Sequence, residues 1–323
     1  MERLRTLSLA TILLCSVLHL LVDGLCVCCL YLIASSFSAL HLVGIFLTYN
    51  ILAFLTQPLT GLWADSMKRR HWMLLASVLL LTVAVLATSI VISFRLSTVG
   101  MMVVPILLGM GNSLFHVWGG KQVAVTTGND MRALGAFVST GAFGLALGIV
   151  FFSWPLLYTV LLTICVLSTA YVHLDLIAGI SAINSQEVEC RFSKLFIWMS
   201  LLVLMLVVML RSFVGETFSG EMSRTSSMVL LIGLLSMLGK MAGGWIAQSM
   251  GIWKALLFLV AGTVLCFFGK DLHIAVMLTG LFLINCTMPI TLYWANALLK
   301  GYEGLAFGLL AAALIPGYLL ATF

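Results

Sequence analysis

Charged residues are scarce in this sequence. Asp, Glu, Lys and Arg make up 8% of its 323 residues, whereas an ordinary soluble domain contains about 25%. A soluble protein with so few charges could not cover its own surface, so lipid must solvate much of this chain. The composition excludes a water-soluble domain and indicates an integral membrane protein.

Enzyme motifs are also missing. The sequence contains no P-loop, so direct use of ATP is not indicated, and it contains neither H-E-x-x-H nor G-x-S-x-G. A membrane-embedded enzyme would need a dense group of polar catalytic residues, and only a sparse set is present. We therefore expect no enzymatic activity, no catalytic residue and no cofactor.

The eight cysteines do not follow a disulfide or metal-binding pattern. Seven of them lie inside apolar runs, and only Cys190 lies in a polar stretch. Cys26 and Cys29 form a C-x-x-C without an adjacent His or acidic cluster. We expect neither a redox site nor a metal site.

Lysine and arginine residues lie in short clusters between apolar runs, as the loop charges of membrane proteins do. Nucleic-acid-binding proteins concentrate such residues in one patch or tail. The net charge of +5 therefore does not indicate a nucleic-acid partner.

Eleven apolar runs follow one another, each near the length of about 20 residues that a helix needs to cross a bilayer. They are continuously apolar rather than alternating, which favours helices over a β-barrel. The first run exceeds the roughly 7–15 apolar residues of a signal peptide, so we interpret it as a retained helix. The predicted spans are Leu7–Ile33, His41–Trp63, Trp72–Ser93, Thr98–Trp118, Ala133–Phe152, Pro155–Leu174, Leu195–Val214, Ser227–Ile246, Ile252–Phe268, His273–Tyr293 and Leu305–Leu320.

Basic residues set the expected orientation. With the N-terminus in the cytoplasm, eleven of the 16 Lys and Arg residues fall on the cytoplasmic side, four fall outside, and Lys240 lies within the eighth span. This bias follows the positive-inside rule. We therefore expect a cytoplasmic N-terminus in an inner or plasma membrane.

The longest polar stretch separates six spans from five. It predicts a cytoplasmic linker at 176–194 between an N-terminal six-helix bundle, 1–175, and a C-terminal five-helix bundle, 195–323. A short repeat supports this division, because Gly61–Met67 and Gly244–Met250 match at four of seven positions, both at the cytoplasmic end of a span. Parallel six-helix repeats give this arrangement.

Two six-helix repeats would require a twelfth helix, and the sequence ends at Phe323, within or just after the eleventh span. We therefore expect a fragment or a truncated gene product. A membrane protein or scaffold without transport activity is the alternative to a transporter.

The end of the second span carries a recognisable motif. Its sequence, G-L-W-A-D-S-M-K-R-R, resembles the loop signature of the major facilitator superfamily, G-x-L-A-D-[RK]-x-G-[RK]-[RK]. The matching positions are Gly61, Ala64, Asp65, Arg69 and Arg70. Those that depart are Trp63, Ser66 and Lys68.

Two further segments are similar to one branch of that family. Gly109–His116 resembles the fourth helix of the fosmidomycin-resistance branch, although Val117 replaces its usual Pro, and Leu210–Phe213 resembles its seventh helix. The resemblance implies an all-α, two-domain transporter fold whose first, fourth, seventh and tenth helices line a central cavity. The polar residues on those helices are Asp23, Asn112, His116, Arg211 and Asn285.

Asp23 is the leading candidate for proton coupling. It lies one helical turn after His19 on the same face, and a carboxylate at the bilayer centre costs about 2.5–3.5 kcal/mol unless it faces a cavity or a partner. Together with His116 these residues could carry protons. Alternatively, Asp23 lies near the outer surface and is hydrated, and His116 only packs between helices.

Substrate contacts are expected from Asn112, Arg211 and Asn285. Arg211 keeps its proton and therefore requires a carboxylate or an anionic substrate. Its candidate partners are Asp23, Glu216 and Glu221, and the alternative is that it reaches the outer interface.

The loop motif, Gly61, Asp65, Arg69 and Arg70, is expected to act as a gate between alternating-access states. Asp65 could accept hydrogen bonds from the two arginines or from the N-terminus of a neighbouring helix, whereas Lys121 is expected at the membrane interface. The glycines of the fifth span indicate close helix packing; they are Gly135, Gly141, Gly144 and Gly148.

Together these features predict a monomeric secondary transporter that moves a small organic solute by alternating access. Protons and the lipid bilayer are its other expected partners. The branch resemblance favours efflux.

Overall fold

The computed structural model describes residues 2–36, 42–67, 71–94, 98–174 and 193–322. Within these ranges the chain forms helices and no strand. The helices are α1 (Glu2–Ser36), α2 (Leu42–Ser66), α3 (His71–Ser93), α4 (Thr98–Thr126), α5 (Met131–Val150), α6 (Pro155–Leu174), α7 (Lys194–Met222), α8 (Ser226–Met250), α9 (Ile252–Phe268), α10 (Ile274–Leu298) and α11 (Glu303–Thr322).

Nine of the helices in the described ranges are long and apolar enough to cross a membrane, and the apolar parts of α6 and α9 are shorter. Large apolar side chains point outward along them, such as Leu79, Leu257 and Leu265, which are 65–73% exposed. Such a surface requires lipid around it. The predicted all-helical membrane protein is therefore confirmed.

Several helices extend beyond their predicted ends, and two do so by eight residues. α4 continues past Trp118 to Thr126, and α7 continues past Val214 to Met222. Hydropathy detects only the part of a helix that lies in hydrocarbon, whereas the backbone hydrogen bonds continue through polar residues beyond it.

Side-chain caps fix the starts of several helices. Asp130 accepts a hydrogen bond from the Arg132 amide at α5, and Thr225 accepts one from the Met228 amide at α8. These bonds satisfy amides that the first helical turn leaves without a partner.

α5 packs between α1 on one side and α8 on the other. A Cβ atom added at Gly144 would meet the backbone of Leu20, and one added at Gly148 would meet the backbone of Gly24. Glycine is therefore required where α5 meets α1, which agrees with the close packing predicted for this helix.

Two antiparallel contacts join helices of the first six spans to helices of the last five. In the α2–α11 contact, Gly61 lies against the backbone of Gly304, and Gly308 lies against that of Gln57. In the α5–α8 contact, Gly244 lies against the backbone of Met131. The division at 175 and 195 remains a prediction, and most of the predicted linker lies outside the described residues.

We expect Gly144→Ala to destabilise the protein by about 1–3 kcal/mol, because the new methyl group forces α1 and α5 apart. Thermal unfolding of the purified protein in detergent measures the change. The matched control is Gly215→Ala on α7, where nothing lies within 4 Å of the added Cβ. A Gly144→Ala protein as stable as this control would contradict the proposed packing.

Candidate functional site

Two histidines and a carboxylate form a buried cluster, which we call the triad: His19 and Asp23 on α1 and His116 on α4. The Nε2 atoms of the two histidines are 2.8 Å apart. Asp23 Oδ2 lies 3.3 Å from His19 Nε2, and Asp23 Oδ1 lies 3.5 Å from His116 Nε2. The structure thus brings together the three residues predicted to carry protons.

Helical spacing and a glycine produce this cluster. His19 and Asp23 are one turn apart on α1, and Asn112 and His116 are one turn apart on α4, so each pair shares a helix face. Gly141 of α5 closes the third side, since a Cβ atom there would touch both Asp23 Oδ2 and His19 Nε2. Any larger residue at this position would displace the triad.

Backbone carbonyls determine which histidine nitrogens carry hydrogen. His19 Nδ1 donates to the Phe137 carbonyl at 2.8 Å, and His116 Nδ1 donates to the Asn112 carbonyl at 3.0 Å. Because a carbonyl only accepts, both Nδ1 atoms must hold hydrogen, and two neutral imidazoles would then present lone pairs to each other at Nε2. One additional proton converts this contact into a hydrogen bond. The arrangement therefore suits a single proton shared beside an ionised Asp23.

Asn112 belongs to the same cluster. Its Nδ2 donates to Asp23 Oδ1 at 3.0 Å, whereas its buried Oδ1 has no hydrogen-bond partner. The residue predicted to bind substrate thus orients the carboxylate, and only its oxygen is left for another ligand.

The donor atoms of the triad lie within 4.8 Å of one another, which is also close enough for a metal ion. Such an ion would occupy the same Nε2 lone pairs as the shared proton. The expectation of no metal site therefore needs a test in metal-free buffer.

Aromatic rings seal the triad. Phe137 lies 4.8 Å from the His19 ring, and Phe307 of α11 lies 6.3 Å from the His116 ring, measured between centroids. A Cβ atom at Gly120 would collide with the Phe307 ring, so this glycine makes room for it. α11 thereby covers protonatable groups of α1 and α4, which the sequence alone did not indicate.

A buried cation lies on α7. Arg211 on α7 is 7% exposed, and neither its Nε nor its Nη2 has a hydrogen-bond partner. In the described ranges no carboxylate forms an ion pair with it. Of its three candidate partners, Asp23 contacts the histidines and Glu221 pairs with Lys270, whereas Glu216 is exposed and pairs with no cation of the described residues. Arg211 therefore lies inside the bundle rather than at the outer interface.

The side-chain nitrogen of Asn285 on α10 forms hydrogen bonds within the helical bundle. Its Nδ2 donates to the Leu281 carbonyl at 2.8 Å and to Ser236 Oγ at 3.4 Å. The bond to Ser236 joins α10 to α8, whereas the bond to Leu281 stays within α10. The amide oxygen is left as the group available to a ligand.

Asp65, at the end of α2, joins that helix to α11. Its carboxylate accepts hydrogen bonds from the Gly304 amide at 3.0 Å, the Leu305 amide at 2.9 Å and Lys121 Nζ at 2.6 Å. A carboxylate at a helix N-terminus is favoured by both the free amides and the helix dipole. Of the predicted gating residues, Gly61 and Asp65 meet α11 here, whereas Arg69 and Arg70 lie outside the described residues.

Lys121 differs from the interfacial role expected of it. Its ammonium group is buried between α2 and α4, where it binds Asp65 and the Ala64 carbonyl. The pairing was not visible in the sequence, because the two residues are far apart along the chain.

The turn between α4 and α5 makes a further contact at this end. Asn129, which has a left-handed φ of 62°, donates to the Tyr293 carbonyl and accepts from Asn296 Nδ2 at 2.9 Å. The Arg132 guanidinium lies 5.0 Å from the centre of the Trp245 ring, and it also lowers the pKa of Asp130 by hydrogen bonding. Polar contacts therefore join α4 and α5 to α8 and α10 as well.

Comparison with models of protein families found no match, and comparison with curated protein sequences found none either. Solved structures do match. A variant of the E. coli fucose:proton symporter FucP has a TM-score of 0.64 at 12% identity, with 97% of this chain and 90% of that chain covered.

Two other matches have comparable coverage. The human organic anion transporter MFSD10 (TETRAN) gives a TM-score of 0.66 at 18% identity, covering 97% of this chain and 92% of that one. A bacterial homologue of the iron transporter ferroportin, in an outward-facing state, gives 0.55 at 15% identity, covering 97% and 90%.

FucP is described as a major facilitator superfamily transporter, and a structure of it in the outward conformation also matches, with a TM-score of 0.65. At these identities the likeness establishes the fold. The chain has the predicted major-facilitator-like helical fold, and its resemblance to the fosmidomycin-resistance branch remains a prediction.

We expect Asp65→Asn to expose the start of α11. The neutral side chain leaves Lys121 buried without a counter-ion and weakens the cap on α11, which typically contributes about 1 kcal/mol. Hydrogen–deuterium exchange should accelerate at the amides of Gly304 and Leu305. Ser66→Ala is the control, since the Ser66 hydroxyl bonds only to its own helix; equal exchange in the two variants would refute the role of Asp65.

Proposed function

We propose that this protein is a secondary transporter that moves a small organic solute by alternating access and is coupled to protons at the triad. The observation that carries the proposal is the geometry of His19, Asp23 and His116, which suits one shared proton in a buried site. Ionisable groups inside a membrane protein are costly and commonly mark proton or substrate paths.

The net charge of the triad depends on its protonation, and this couples proton release to the structure of the bundle. With one shared proton and an ionised Asp23, the cluster is neutral overall. Loss of that proton leaves a net negative charge at a buried site, which is unfavourable without water or a cation nearby. We therefore propose that proton release requires the bundle to open.

α11 connects the triad with Asp65, which holds the first turn of this helix against α2. The carboxylate binds the first amides of α11, and Phe307, one turn further along, covers His116. Movement of this helix away from α2 would uncover His116 in the same step. This is the support for a gating role of Gly61 and Asp65, which we extend to Arg69 and Arg70 on the motif resemblance.

The fold neighbours are compatible with this reading. One is described as a fucose:proton symporter and another as an organic anion transporter. From the sequence we further propose a monomer with a cytoplasmic N-terminus in an inner or plasma membrane, two halves at 1–175 and 195–323, and transport in the direction of efflux.

The test begins with a thermal-stability screen of sugars, amino acids, organic acids and amines. The best stabiliser, radiolabelled, is then followed in metal-free proteoliposomes with an imposed pH gradient. Wild-type protein should accumulate it, and Asp23→Asn should abolish accumulation while still allowing exchange of labelled for unlabelled solute. Asp271→Asn, in the loop before α10, is the control.

Gradient-driven accumulation by Asp23→Asn would show that the proton role is wrong. Recovery of accumulation only on addition of a divalent metal ion would show that the triad holds a metal instead. Comparison of inside-out with right-side-out vesicles gives the direction of transport.

Phe307→Ala tests the seal without any knowledge of the substrate. Removal of the ring should admit water to His116 and increase passive proton flux, followed with a pH-sensitive dye inside proteoliposomes. Phe258→Ala, on the lipid-facing side of α9, is the control. A proton flux as low as that of the control would mean that Phe307 does not control access to the triad.

A further inference from the structure

We propose that the transported solute is a small organic acid whose carboxylate binds Arg211. This inference rests on the proposed transport function and specifies the class of substrate. It starts from a contrast between the two halves of the bundle.

Buried charges in the first half have partners. Asp23 is surrounded by His19, His116 and Asn112, and Lys121 pairs with Asp65. Arg211 in the second half is equally buried, yet two of its three guanidinium nitrogens have no partner. It is thus a buried cation that no carboxylate of the described residues neutralises.

Such an arrangement is expensive. The guanidinium group stays protonated, and a buried charge without its counter-ion is strongly destabilising. A hydrophobic side chain on α7 would remove that cost. A ligand that supplies a negative charge would neutralise Arg211 and so account for an arginine at this buried position.

Lys240 adds to the positive potential. Lys240 on α8 interacts electrostatically with both Arg211 and Asp23, and in the described ranges it forms no ion pair. Two neighbouring cations repel unless an anion lies near them. Lys240 therefore adds to the preference of this part of the bundle for negative charge.

The shape of the Arg211 guanidinium indicates which chemical group of the ligand it binds. A guanidinium presents parallel N–H bonds that match both oxygens of a carboxylate. A neutral amide of the same size would leave the charge uncompensated. The site should therefore distinguish an organic acid from its amide.

Arg211→Met provides the first test and needs no ligand. Because it removes an uncompensated charge, it should raise the melting temperature of the ligand-free protein in detergent, and Arg224→Met, an exposed arginine between α7 and α8, should not. A fall in melting temperature would show that Arg211 has a structural partner and would overturn the inference.

The second test measures binding in chloride-free detergent solution at pH 7, with benzoate and succinate against benzamide and succinamide. The acids should stabilise wild-type and Arg224→Met protein, the amides should not, and Arg211→Met should bind the acids at least about 30-fold more weakly. Arg211→Lys keeps the positive charge but loses the two parallel N–H donors, so its affinity for the acids should lie between those of wild-type and Arg211→Met protein.

Stabilisation by the amides, binding unaffected by Arg211→Met, or stabilisation by chloride but by neither acid would each overturn the inference. The binding measurement requires no flux, so it separates the two proposals. Acids that bind through Arg211 without being transported would refute the transport function alone. Gradient-driven flux of an uncharged solute that persists in Arg211→Met would refute the anion site alone.

Discussion

The cost of placing a carboxylate inside an apolar helical bundle governs this structure. Asp23 can be buried only because two imidazoles and an amide surround it, and those groups come from α1 and α4. The histidines in turn need carbonyl acceptors, one of them on α5, and α5 can approach only because residue 141 is glycine. The way in which α1, α4 and α5 pack together thus depends on the buried charge of Asp23.

Much of the fold follows from the sequence, because apolar length and helix formation are local properties. In the part of the chain that the structure describes, each of the eleven apolar runs corresponds to a helix. The i, i+4 spacing of His19 with Asp23 and of Asn112 with His116 already places each pair on one face. Asp65 was expected at a charged helix end, and it caps the N-terminus of α11. These features can be predicted from the neighbouring residues in the sequence or from a general rule about helix termini.

The remaining features depend on helices that meet only in three dimensions. The contact between His19 and His116 requires the relative rotation of α1 and α4, which hydropathy does not encode. The burial of Lys121 beside Asp65, the cover that Phe307 provides and the link from Asn129 to Asn296 have the same origin. Arg211 is the informative case, since its charge was evident in the sequence and its lack of a partner was not.

The repeated glycines have a mechanical consequence. Gly61 and Gly244, equivalent in the internal repeat, each lie against the first turn of a helix from the other half, but the two contacts continue differently. α5 and α8 touch along their whole length, at Gly233 with Ala146, Gly135 with Lys240, and Gly244 with Met131. α2 and α11 are held by a charged cap in addition to glycine packing. A rotation about the α5–α8 line would break few contacts there and would strain contacts that lie away from it, among them the bonds of Asp65.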